Sequence, residues 1–220
     1  MQPYFLPYMG YWQLIKSVDK FIIFDDVNYI KRGWIHRNFV STNGQKQQIN
    51  LCIEKASINR KIDEHRLSNE PKWRDRLYSQ IRHSSTRKDL FVEYQELIES
   101  IVFHKTYNLN DYLHYSISRI CQLLEIKTQI LPSTSAYQND NLRGQERILD
   151  ICRKENASEY VNLPGGRSFY DSESFARESI KLSFVKTKEG LSIIDDLLNK
   201  EKNQVIIELN SITIDHDRIK

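Results

Sequence analysis

The chain has 220 residues, 40% of them hydrophobic and 28% charged, with a formal net charge of +3. That balance reads as a soluble, globular chain of one domain, and so small a surplus, with Lys and Arg spread along the sequence, marks no nucleic-acid arm. No apolar run approaches the roughly 18 residues of a membrane span, and the N-terminus lacks the layout of a signal peptide, so the default expectation is a cytoplasmic protein.

The aromatic opening QPYFLPYMGYW leads into a short predicted helix over residues 10–18. Residues 20–24 read as a strand covered on both faces, because their apolar run is continuous. WIHRNFV and QQINLCI flank Asn43-Gly44, which predicts a β-hairpin because both turn residues accept positive φ. From residue 71 to about 125 the pattern turns helical: Pro71 suits a first helical position, and Leu90, Phe91, Tyr94, Leu97, Ile98, Ile101 and Val102 recur at three and four. Leu109, Leu113, Ile117, Ile120 and Leu124 do the same. The second half alternates: TQILPS as a strand, residues 145–155 as a helix, EYVNL as a strand, SFARES as a helical stub, IKLSFV as a strand and LSIIDDLLNK as an amphipathic helix. The expected architecture is α/β: a Rossmann-like, mainly parallel sheet with flanking helices, a β-hairpin insertion and a helical subdomain. Residues 1–199 form one domain with a helical layer over 71–125. Residues 200–220 are left as a tail: an edge strand, a packed end or a disordered one.

Candidate chemistry concentrates after the first strand, where open α/β sheets bind ligands. Asp25 and Asp26 are paired carboxylates that can hold a sugar hydroxyl or a cation, or act as acid and base, although a strand-end turn uses Asp as well. Asn28, Lys31, Arg32, Trp34, His36, Arg37 and Asn38 follow, a set able to bind an anion and to stack an aromatic base on Trp34. Strand alternation puts Trp34, His36 and Asn38 on one face, so His36 is a candidate base as well as an ordinary packed or surface histidine. In the opening block Pro3 and Pro7 stiffen the backbone, Gly10 permits close approach, and Phe5 and Trp12 read as core. Gln2, Tyr4 and Tyr8 carry polar groups that a core does not need. In NLPGGRSFYD, Asn162 ends a strand, Gly165 and Gly166 let backbone amides face a ligand, and Arg167, Tyr170 and Asp171 add polar reach; an ordinary strand-to-helix loop has the same composition. Cys52, Cys121 and Cys152 are odd in number and far apart, which suggests neither a disulfide framework nor a zinc site.

QPYFLPYMGYWQLI followed by DDVNYIKRGWIHRN resembles the two signature blocks of the WbqC-like family, bacterial proteins often associated with O-antigen and other surface-polysaccharide gene clusters. Weaker agreement continues through LPSTS, YVNLPGGRSFYD and LSIIDDLLN to about residue 199. Family members usually begin with a short apolar strand before the QPYF block, whereas this sequence has only Met1 ahead of Gln2, so the resemblance raises the expectation that a first strand is missing here. It also implies a glycine or broader aminoacyl transferase that decorates an amino sugar during lipopolysaccharide or other surface-glycan synthesis. The implied partners are a nucleotide-linked amino sugar and an activated glycine or other acyl donor, carried as a thioester, an adenylate or an aminoacyl-tRNA; no cofactor and no metal is named.

Acyl transfer to an amine asks for a base, an oxyanion partner and a polyanion clamp. By residue type, Asp26 or His36 is assigned to proton transfer, Lys31, Arg32 and Arg37 to a diphosphate or the oxyanion, and Trp34 to base stacking. Gln2, Tyr4, Tyr8, Asp25, Asn28 and Asn38 complete the binding set, and Gly165, Gly166 and Tyr170 are expected beside the first block. Two other classes compete. The P-Y-M-G-Y turn is similar to the H-x-G-H layout of α/β nucleotidylyltransferases, with Tyr8 and Tyr11 where those place histidines, but Tyr cannot supply an imidazolium for a departing phosphate. A non-catalytic nucleotide-sugar binder needs the same clamp without proton transfer.

Overall fold

A computed structural model describes residues 1–70 and 72–216; Pro71, expected at a helix start, and residues 217–220 of the expected tail lie outside the described residues. Helix α1 (Met9–Lys16) buries Tyr11, Trp12, Leu14 and Ile15. The Trp12 indole N–H donates to the Pro7 carbonyl at 2.9 Å, so the largest side chain of the core is buried without an unpaired donor. Strand β1 (Lys20–Ile22) follows. Strands β2 (Arg37–Thr42) and β3 (Gln45–Asn50) form the expected hairpin, in register from Arg37 opposite Asn50 to Thr42 opposite Gln45. Asn43 and Gly44 stand at φ 52° and 74°, the paired positive dihedrals that a two-residue hairpin turn requires.

The helical layer comprises α2 (Lys72–Ser84), α3 (Lys88–Val102) and α4 (Leu109–Leu123). The apolar residues of α3 that recur at three and four are all buried, and α4 is capped by Asn108, whose side chain accepts from the Asp111 amide at 3.0 Å. The chain then runs through β4 (Gln129–Leu131), α5 (Gly144–Lys154), β5 (Glu159–Asn162), a 3₁₀ turn (Pro164–Phe169), α6 (Ser172–Arg177), β6 (Lys181–Val185) and α7 (Ile193–Asn199). Of the readings left open for the tail, an edge strand, a packed end or a disordered one, QVIIELN is a packed end, and it is helical: α8 (Lys202–Asn210). Val205 and Leu209, one turn apart, are wholly buried, and Gln13 of α1 donates to the Glu208 carbonyl at 2.8 Å. Burial of one helical face has overridden local propensity. Strand β7 (Ile214–His216) then returns to the edge of β6.

The chain is mixed α/β, and its strands form three small sheets. The parallel pairing expected of one sheet is divided between β1 with β4 and β5 with β6, while β2–β3 and β6–β7 are antiparallel. Met1 lies along the free edge of β1, its amine donating to the Ile22 carbonyl at 2.8 Å and its carbonyl accepting from the Phe24 amide at 2.9 Å. A cavity of about 340 Å³ is lined by residues of both β1 and β5. The apolar interior divides as well. Most helices share one core, whereas Ile148, Leu149, Cys152, Phe175, Ile180, Leu182 and Phe184 make a second one under α5, α6 and the β5–β6–β7 sheet. Cys121 and Cys152 are buried and unpaired, and burial pushes their thiols up to about 12 and about 11. No helix among the described residues is long and apolar enough to cross a membrane.

Candidate functional site

A cleft of about 480 Å³ opens between the N-terminal block and the segment around β5 and the 3₁₀ turn that follows it. One wall is Gln2, Tyr4, Tyr8, Ile30 and Trp34; the other is Gln145, Asn162, Gly165, Gly166, Phe169 and Tyr170, with Thr187 and Glu189 at the rim. Each wall is braced from behind. Tyr11, wholly buried, donates its hydroxyl to the Gln2 carbonyl at 2.9 Å and packs 5.3 Å from the Tyr4 ring. The Phe5 amide donates to the Trp34 carbonyl at 3.0 Å, and Trp34 sits 6.4 Å from Tyr8 and edge-on to Phe39 at 6.0 Å. Arg37 spans the loop that carries Trp34, donating to the Gly33 carbonyl at 3.2 Å and to the Arg32 carbonyl. On the far wall the Asn162 amide donates to the Tyr160 and Tyr170 hydroxyls at 3.2 and 3.4 Å, and its oxygen accepts from the Leu163 amide at 2.7 Å. A Cβ on Gly166 would come within 2.7 Å of the Asn162 amide nitrogen, whereas Gly165 faces open space.

The electrostatics of the cleft are simple. Among the described residues Glu189 is its one carboxylate, and neither Lys nor Arg lines it. Burial, then the negative charge of Glu189, then Tyr4 push the Tyr8 phenol up to about 12; Tyr4 is raised by burial and by Glu189. Both phenols therefore keep their protons at neutral pH and can donate to a ligand.

The residues expected to do acid–base work stand elsewhere. Asp25 is buried and accepts from Asn110 at 2.7 Å, the Ser133 hydroxyl at 2.8 Å and the Thr134 amide at 3.1 Å. Burial raises its carboxyl above the ordinary Asp value despite those bonds. Asp26 forms a buried ion pair with Arg147 at 2.5 Å and also accepts from the Thr134 hydroxyl. Arg147 donates its Nε to Asn139 at 2.9 Å and lies 5.0 Å from the Phe24 ring centre. The paired acids are thus a brace that ties the end of β1 to the segment after β4 and to α5. His36 points the other way, its Nδ1 2.5 Å from the Tyr29 hydroxyl, and burial followed by the Arg37 charge lowers its pKa. Asn38 is wholly buried and donates to the Phe5 and Leu6 carbonyls at 3.0 and 2.7 Å, holding the turn in which Leu6 takes φ 43°. Asn28 bridges to Lys61, and Lys31 and Arg32 are exposed on the loop tip. Of the residues singled out from the sequence, Gln2, Tyr4, Tyr8, Trp34, Gly165, Gly166 and Tyr170 line the cleft; Asp25, Asp26, Asn28, Lys31, Arg32, His36, Arg37 and Asn38 do not.

The model of the WbqC-like protein family matches residues 2–207, both walls of the cleft included. The chain belongs to the WbqC-like protein family. The match runs past residue 199 into α8, so the family's reach includes the first part, residues 200–207, of the segment read as a tail. Uncharacterized protein Rv1507c of Mycobacterium tuberculosis is 29% identical over 186 residues, 84% of this chain and 79% of that protein. No solved structure matches the chain.

Several cleft residues of this WbqC-like protein escaped the sequence reading. Gln145 lies in the first turn of α5 and Glu189 in KTKEG, directly after β6. The rule that drew attention to residues 25–38, polar groups beyond the carboxyl end of a strand, applies to KTKEG with equal force. His65 was also passed over; it is a core histidine, wholly buried, with Nδ1 2.7 Å from the Lys61 carbonyl and Nε2 accepting from the Ser57 amide at 3.1 Å.

Proposed function

We propose that this WbqC-like protein binds an amino sugar in the cleft and transfers a glycyl or other aminoacyl group to its amine during synthesis of a bacterial surface polysaccharide such as O-antigen. The observation that carries the reading is the lining: aromatic rings on opposed walls, amides at Gln2, Gln145 and Asn162, and, among the described residues, a single carboxylate with no Lys or Arg. Ring faces pack against the C–H faces of a sugar, amides and phenols meet its hydroxyls, and an ammonium is attracted to Glu189 and to the rings. In the transfer the neutral amine nitrogen attacks the acyl carbonyl, a C–N bond forms, the bond to the carrier breaks and the nitrogen proton leaves. Glu189 is our choice for accepting that proton, in place of Asp26 and His36, because it alone of the three lines the cleft. The backbone around Gly165 and Gly166 is the corresponding choice for the oxyanion. We also read the two parallel strand pairs as portions of a Rossmann-like arrangement, and the cytoplasm, where nucleotide-linked sugars are made, as the site of action.

Adenylyl transfer draws less support. Tyr11, in one of the two positions compared with a phosphate-stabilising histidine, is a buried strut whose hydroxyl is committed to Gln2, and among the described residues no Lys or Arg lines the cleft. The test is incubation with a nucleotide-linked amino sugar and a panel of activated glycines, followed by mass spectrometry for the glycyl amide. Product from any donor supports transfer. Tight sugar binding with no product from any of them supports the binder, and pyrophosphate release from ATP with an acid substrate supports adenylation.

A further inference from the structure

Another cavity, about 450 Å³, adjoins the cleft and shares Pro164 and Thr187 with it. Its charge is the reverse of the cleft's: Arg167, Lys186 and Lys188 line it together with Asp215, over a floor that includes Phe184 and Val185. Arg167 is held at 2.7 Å by Asp215 and lies 4.5 Å from the Phe184 ring centre. Lys186 and Lys188 are exposed, and among the described residues neither is ion-paired. The backbone of this shelf is fixed: the Lys186 amide donates to the Thr213 carbonyl at 2.7 Å, and Thr187 packs so closely on α1 that a Cβ at Gly10 would come within 2.2 Å of its hydroxyl. Five consecutive residues, Lys-Thr-Lys-Glu-Gly, therefore separate two environments, with Glu189 on the aromatic side and the lysines on the other.

We propose that the shelf holds the diphosphate of a diphosphate-linked amino sugar whose sugar ring lies in the adjoining cleft. This rests on the sugar-binding reading of the cleft and assigns to Lys186 and Lys188 the clamp first sought in Lys31, Arg32 and Arg37. The physical reason is a mismatch of charge. A cleft with a carboxylate and no cation repels a diphosphate, so a ligand that carries both an amine and a diphosphate is bound best where a cationic surface begins at the cleft's edge. Lysine ammonium groups act there as mobile point charges that can follow either diphosphate oxygen. The diphosphate can be esterified to a nucleoside or to a polyprenyl chain, and both present the same group to the shelf.

The experiment is calorimetric titration of the full chain and of a Lys186→Ala/Lys188→Ala variant with inorganic pyrophosphate, free amino sugar, a nucleoside-diphosphate amino sugar and a short-chain polyprenyl-diphosphate amino sugar. Both lysines are exposed, so thermal melts of the variant are expected to match the parent. The proposal expects pyrophosphate to bind the parent, and the variant to lose about tenfold or more in affinity for pyrophosphate and for diphosphate-linked sugar while binding free sugar unchanged. The tighter of the two diphosphate-linked sugars identifies the source. No pyrophosphate binding to the parent, or equal binding by parent and variant, overturns the shelf. A Trp34→Ala variant separates the two ideas: if it loses free-sugar binding while the lysine variant changes nothing, the cleft reading stands and the shelf fails. If pyrophosphate binding depends on the lysines but no sugar binds, the shelf stands and the cleft reading fails.

Discussion

Asp26→Asn separates a structural acid from a catalytic one. The Asp26 and Arg147 side chains are 5% and 4% exposed and 2.5 Å apart. The substitution removes the charge but keeps the shape, so the guanidinium stays buried with only neutral acceptors, Asn139 at 2.9 Å and the Asp26 carbonyl at 3.5 Å. Breaking a buried pair from one side costs about 3–5 kcal/mol, which for a chain of this length is a fall in melting temperature of roughly 6–20 °C. Urea unfolding followed by far-UV circular dichroism measures it. A second variant, Asp26→Asn/Arg147→Met, removes the stranded charge and is expected to recover at least about 1 kcal/mol of the loss. A change below about 1 kcal/mol in Asp26→Asn, accompanied by loss of sugar binding or transfer, would refute the brace and return Asp26 to the active site.

Three further outcomes follow from the same geometry. Burial and Arg37 hold the His36 pKa below its ordinary 6.5, so as pH falls through 6.5 the unfolded chain takes up a proton that the folded chain resists, and stability is lost. His36→Gln should flatten the decline of urea midpoint between about pH 7.5 and 5, a residual slope coming from His104 and His114, which burial lowers too; an unchanged slope would contradict the placement of His36. Gly10→Ala drives a methyl group to within 2.2 Å of Thr187, which should cost about 1–3 kcal/mol and displace the 186–190 segment, with partial rescue by Thr187→Ser; Gly165→Ala, which meets nothing within 4 Å, should leave urea stability within about 0.5 kcal/mol. Trp12 and Trp73 are buried at 0% and 4% exposure while Trp34 lines the cleft, so sugar-induced change in intrinsic fluorescence should disappear in Trp34→Phe, and its persistence there would place the ligand elsewhere.

The sequence was most legible where a signal is local. Asn43-Gly44 specifies its hairpin through two positive φ angles, and the three-and-four spacing of α3 needs only its own residues. Two features depend on packing that no local signal carries. The β-branched residues of 204–210 became α8 because Val205 and Leu209 find burial against the main core, a tertiary gain invisible in the segment itself. The acids at 25 and 26 looked like a site because their partners, Asn110, Thr134 and Arg147, lie 85 to 121 residues away. Composition identified a polar block at a strand end; only packing separates the members that face the cleft, such as Trp34, from those turned inward, such as Asp25, Asp26 and Asn38. Gln2, Tyr4, Tyr8, Gly165 and Gly166 were recognisable because Pro, Gly and phenol groups in short blocks are poorly suited to a plain core.

On the function proposed above, the aromatic cleft, and not the block of acids and bases behind it, binds the amino sugar. Calorimetric titration of a nucleotide-linked amino sugar into the parent, Trp34→Ala and His36→Gln proteins tests it most directly. Trp34→Ala should weaken binding by about tenfold or more, as expected for loss of a stacking ring, with His36→Gln within about twofold of the parent. Loss of binding in His36→Gln with Trp34→Ala unaffected would contradict it.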